Sequence, residues 1–89
     1  RLYTSMAVAG RKDDAQRFLV LMLNALDAGV EANADKAFLY DAARGLHDAI
    51  SNLVGGMQRE LDAECLDGSE AEIDLTELNQ LITTLECGR

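Results

Sequence analysis

The chain has 89 residues, 48% of them apolar and 27% charged, with a formal net charge of −8; this suits one helical domain over residues 1–89 and excludes a disordered polyelectrolyte. Proline is absent and Ala, Leu, Asp and Glu dominate, a mixture that favours helix. The longest apolar run, Phe18–Leu23, is six residues against the roughly 20 that cross a bilayer, so no membrane partner is expected.

Residues 1–11 precede the first clear helical pattern and are expected to form a flexible segment. Arg1-Leu2-Tyr3-Thr4-Ser5 lies ahead of Met6, which fits a start at Met6 behind vector-derived residues, or cleavage from a longer precursor. The stretch lacks the charged-then-apolar order of a signal peptide, and the expected location is the cytoplasm.

A first helix is expected from Lys12 to Ala28, with Asp13 and Asp14 near its positive end and Gly29 as its stop. On a helical wheel, Ala15, Phe18, Leu19, Leu21, Met22, Leu23, Ala25 and Leu26 cover about 200°, twice the roughly 100° stripe of a surface helix. Gln16, Arg17, Asn24 and Asp27 leave a narrow polar strip, which Val20 interrupts. Such a helix needs cover on more than one side. Phe18, Leu19, Val20, Met22, Leu23 and Leu26 are therefore the candidate apolar interaction residues.

A second helix is expected from Ala34 to Leu66, with Asn33 as N-cap and Asp35 in its first turn. Phe38, Leu39, Ala42, Leu46, Ala49, Ile50, Leu53, Val54, Met57 and Leu61 form its apolar face, and Tyr40, Asp41, Arg44, His47 and Asp48 lie opposite. The 4-3 spacing of Ala42, Leu46, Ala49 and Leu53 makes a packing seam. Gly55-Gly56 interrupts it, each glycine being roughly 1 kcal/mol worse than Ala in helix propensity. Glu60 and Glu64 then extend the apolar face with charge. Either the helix kinks at the glycines, or its last turns project beyond the core.

Asp67-Gly68-Ser69 marks a turn. Asp74-Leu75-Thr76-Glu77 then makes a capping-box-like start, with Ile73 and Leu78 as its hydrophobic staple. The predicted third helix is Leu75–Cys87, with Leu75, Leu78, Leu81, Ile82 and Leu85 as its seam and Gly88 as its stop.

The fold class is thus all-α: a three-helix chain with a long middle helix, its hairpins assembling as a bundle or a dimer. Short loops would set the first helix against Ala34–Asn52 and the third against Leu53–Leu66, end to end. That layer cannot enclose the arc of the first helix. A break at Gly55-Gly56 would give a compact monomeric bundle instead.

No catalytic, cofactor or metal site is read from the residues. In an EF-hand register ending at Glu77, Leu66 and Gly68 fall on ligand positions and Ala71 on the turn glycine, so calcium chemistry is not supported. Two cysteines, Cys65 and Cys87, are too few for structural zinc, and about 18 Å of helix separates Cys87 from the turn beside Cys65, too far for a disulfide. Two free thiols are expected. His47 and Asp48 are adjacent, hence about 100° apart on a helix, and no hydroxyl nucleophile has a base beside it.

Charge is unevenly placed. Residues 1–17 hold four basic and two acidic side chains, whereas residues 60–88 hold nine acidic and no basic ones. Nucleic acid is therefore not an expected partner. Glu60, Glu64 and Glu72 are the candidate acidic contacts for a basic protein. The expected function is a non-enzymatic interaction module of adaptor, chaperone or regulator type, which self-associates as a homodimer or docks a partner helix. Two other readings are an acidic, nucleic-acid-mimicking inhibitor of a basic protein and a small-ligand-binding helical domain.

Overall fold

The first helix, α1, runs from Leu2 to Glu31 and contains Val8, Ala15, Leu19, Leu23 and Leu26, all buried and all on one side. The structure is a computed structural model that describes residues 2–87; Arg1 and the expected stop at Gly88 lie outside the described residues. Two further helices follow, α2 (Lys36–Ala63) and α3 (Thr76–Cys87), with a 3₁₀ turn at Gly68–Ala71 between them. There is no strand among the described residues. The all-α, three-helix reading holds.

The N-terminal segment differs from expectation. Residues 2–11 continue α1 as helix, because Val8 is buried with Met57, Leu61 and Ala71 and anchors the extra turns. Gly29 is not a stop: α1 continues past it to Glu31. The chain turns at Asn33, whose φ of 59° is left-handed. There the Asn33 N–H donates to Val30 O at 3.1 Å and the Ala34 N–H to Gly29 O at 2.9 Å, the paired bonds of a Schellman motif. Asn33 therefore closes α1 rather than capping α2. The α2 cap is Asp35, whose carboxylate accepts from the Ala37 N–H at 3.0 Å.

α2 runs without interruption through Gly55 and Gly56. Its buried seam is Leu39, Ala43, Leu46, Ile50, Met57 and Leu61; all but Ala43 lie on the expected apolar face, and of the expected 42-46-49-53 row only Leu46 is fully part of it. Ala43 is fully buried, while Phe38 and Ala49 are exposed. The helix ends on a second Schellman motif at Cys65 (φ 59°), with the Leu66 N–H donating to Leu61 O at 2.8 Å and the Cys65 N–H to Asp62 O at 3.0 Å.

α1 and α2 are antiparallel over their full lengths, about 45 and 42 Å at 1.5 Å per residue. Val8 meets the end of α2, and Gly29 meets Leu39 at its start. α3 does not follow α1 end to end. The 66–75 connection carries the chain back, so Leu78, Ile82 and Leu85 join Leu19, Leu23, Leu39, Leu46 and Ile50 in the larger core cluster. The molecule measures 48 × 19 × 16 Å.

Candidate interaction surface

α1 divides its apolar residues between two sides. Leu19, Leu23 and Leu26 are buried in the chain's own core, and Met22 is half-buried against it. A partner could reach the three leucines only by opening the hairpin. Phe18 and Val20 stay exposed. Outward of the core, Tyr3 (84% exposed), Met6 (66%) and Leu21 (67%) project from the same helix. Tyr3 and Met6 were missed in the sequence because their segment carried no clear helical pattern of its own. Phe38 and Leu53 were assigned to the core face of α2, yet both count among its exposed large apolar side chains.

Between the two long helices lies an open groove of about 350 Å³, lined from α1 by Arg11, Asp14, Ala15 and Phe18 and from α2 by Ala49, Ile50 and Leu53. No α3 residue lines it. Beside it, Arg17 and Asp14 form an exposed ion pair at 3.3 Å, one turn apart on α1.

The candidate acidic residues do not share one element. Glu60 lies in α2 and pairs with Arg11 of α1. Glu64 is the half-buried C-cap of α2. Glu72 is exposed and follows the 3₁₀ turn, where its backbone N–H donates to Ser69 O. The Lys12 Nζ donates to the Glu70 carbonyl at 3.1 Å. Two of the basic residues near the N-terminus, Arg11 and Lys12, thus contact the acidic half.

Two carboxylates act locally. Asp67 accepts from the Ser69 N–H at 2.9 Å, and Asp74 accepts from the Thr76 N–H at 2.9 Å and its hydroxyl at 2.6 Å. Both pKa values lie below the ordinary 3.8: the Ser69 backbone bond is the main cause for Asp67, and the Thr76 hydroxyl for Asp74. Asp74 therefore caps the first turn of α3, with Thr76 rather than Glu77 answering it.

His47 is half-buried rather than on a fully solvated face, and its Nδ1 lies 3.5 Å from Asp48 Oδ1. That approach exceeds ordinary hydrogen-bond length. Cys65 and Cys87 are exposed free thiols, as expected. Among the described residues no group of three or more His, Cys, Asp or Glu side chains converges as a metal site, and no helix is long and apolar enough to cross a membrane.

Comparison with known proteins gives no match to a family model, a curated protein or a solved structure. The chemistry of the surface must carry the functional reading.

Proposed function

We propose that the chain is a non-enzymatic protein-interaction module, of adaptor, chaperone or regulator type, that works by self-association. One observation carries this reading: Tyr3, Met6 and Leu21 stand exposed on a long helix whose opposite side is already covered. Large apolar side chains exposed along one side of a rigid helix offer contacts that a partner can cover. The free thiols suit a reducing compartment such as the cytoplasm. The acidic-mimic reading draws less support, since Glu60 already has Arg11 as its partner. A small-ligand domain would need an enclosed cavity, and the apolar groove beside Phe18 is open.

Sedimentation equilibrium from low micromolar to near-millimolar protein tests the proposal. The expected result is a concentration-dependent rise towards twice the monomer mass of 9.7 kDa. A constant monomer mass across that range overturns it.

A further inference from the structure

We infer that α1 pairs with α1 of a second copy of this chain, antiparallel, about a two-fold axis at the level of Ala15 and Gln16. This rests on the self-association reading and specifies its geometry.

The outward side of α1 is self-complementary. Tyr3, Met6, Gly10, Asp14, Arg17, Leu21, Ala25 and Ala28 fall within an arc of about 100° at 100° per residue. Each is exposed, and nothing lies within 4 Å of a Cβ built at Gly10. A two-fold axis between Asp14 and Arg17 makes the contact isologous: where one residue meets a second, the second meets the first. Tyr3 then meets Ala28, Met6 meets Ala25, and Leu21 meets Gly10. Large side chains stand opposite small ones at every apolar step, the condition for interdigitation. Asp14 meets Arg17, twice by symmetry.

The charges decide between arrangements. A parallel, in-register pair would set Asp14 on Asp14, Arg17 on Arg17 and Leu21 on Leu21, combining repulsion with crowding beside an empty Gly10. Antiparallel pairing converts both repulsions to attractions. The existing Asp14–Arg17 pair within α1 is exposed, so exchanging it for pairs across the axis alters little energy.

The footprint sets the strength. From Tyr3 to Ala28 the stripe is about 38 Å long, and a helix about 10 Å wide gives roughly 400 Å² per copy. Stable complexes bury about 800 Å² per partner. The dimer is therefore weak and concentration-dependent.

The test uses the full chain with Cys65 and Cys87 changed to Ser, assayed by sedimentation and by oxidative cross-linking. A mixture of Met6→Cys and Ala25→Cys chains should give a disulfide-linked dimer, and neither chain alone should. Like residues would lie about 28 Å apart across the axis, far beyond the roughly 7 Å Cα separation of a disulfide. Gly10→Leu should weaken association about tenfold or more by occupying the seat of Leu21, while the monomer keeps its helix content. Cross-linking of either single-cysteine chain to itself in preference to the mixture, or an undiminished dimer in Gly10→Leu, overturns the antiparallel pairing but leaves self-association standing. A chain that is monomeric throughout overturns both.

Discussion

Arg11 and Glu60, 49 residues apart in the chain, form an ion pair that ties the first third of α1 to the last turns of α2. The antiparallel hairpin brings them together, because it lays the N-terminal part of α1, which carries Arg11 and Lys12, along the acidic end of α2. Part of the charge asymmetry in the sequence is thereby consumed inside the molecule. It also explains how Glu60 can lie on the extension of the apolar face of α2 without projecting past the fold.

Glu60→Gln is expected to lower stability by less than about 1 kcal/mol, since both side chains are about half exposed (45% and 51%). The loss should shrink as salt is raised. Urea unfolding of both proteins at low and high ionic strength checks this. A loss of several kcal/mol would mean that the pair is far better shielded from water.

Leu19 and Leu21 make a sharper contrast. Leu19 is 5% exposed in the core and Leu21 is 67% exposed. Leu19→Asp should unfold the chain or destabilise it by several kcal/mol, through an unpaired buried carboxylate. Leu21→Asp should hold dilute stability within about 0.5 kcal/mol and abolish self-association. Circular dichroism melts at low concentration, set beside sedimentation at high concentration, separate the two effects.

The 3.6-residue pattern of α3 was legible because its seam, Leu78, Ile82 and Leu85, is narrow and its cap at Asp74 is local. The ends of α1 and α2 were not, because the left-handed residues that close them are Asn33 and Cys65 rather than glycine. Gly29, Gly55 and Gly56 lie inside helices, so reading them as breaks misplaced one helix end and left the middle helix ambiguous. The candidate surface was harder still. An arc of about 200° on α1 announces that two sides need cover, but only the three-dimensional path of α2 and α3 decides which side the chain covers itself. Leu19, Leu23 and Leu26 fell inward by that path, and Leu21 outward.

Helical glycines should respond to alanine according to the space around them. At Gly45 a Cβ meets nothing within 4 Å, so Gly45→Ala should stabilise by about 1 kcal/mol through helix propensity. At Gly29 a Cβ would lie 2.8 Å from Leu39 Cδ2. Leu39 is buried, so displacing it should cancel the gain. Urea midpoints of the two variants should therefore separate, with only Gly45→Ala rising.

Cys65 holds φ at 59°, a region that costs a non-glycine residue roughly 1–2 kcal/mol. Cys65→Gly should relieve that strain, offset in part by the added freedom of the unfolded chain. The expected outcome is a higher melting temperature, measured under reducing conditions so that the exposed thiol plays no part. A lower one would show that the thiol makes contacts outweighing the strain.

Asp74 ties the start of α3 to pH. Its carboxylate takes both the N–H and the hydroxyl of Thr76, and these bonds favour the ionised form, so its folded pKa sits below 3.8. A depressed acid contributes stability that is complete above the unfolded pKa and is lost as pH falls through the folded one. Asp74→Ala should therefore lower the melting temperature at neutral pH by about 4–8 °C, the usual effect of a lost N-cap in a chain of this size. Acidification also acts on both proteins generally, because a chain of net charge −8 loses self-repulsion as its carboxylates protonate. The difference between wild type and variant cancels most of that common change. It should stay constant down to about pH 5 and narrow as pH falls below the unfolded value. Asp67, held low by Ser69, titrates in both proteins and so leaves the difference unchanged. A gap that persists undiminished in strong acid would show that the Asp74 side chain supports α3 by packing rather than through its charge.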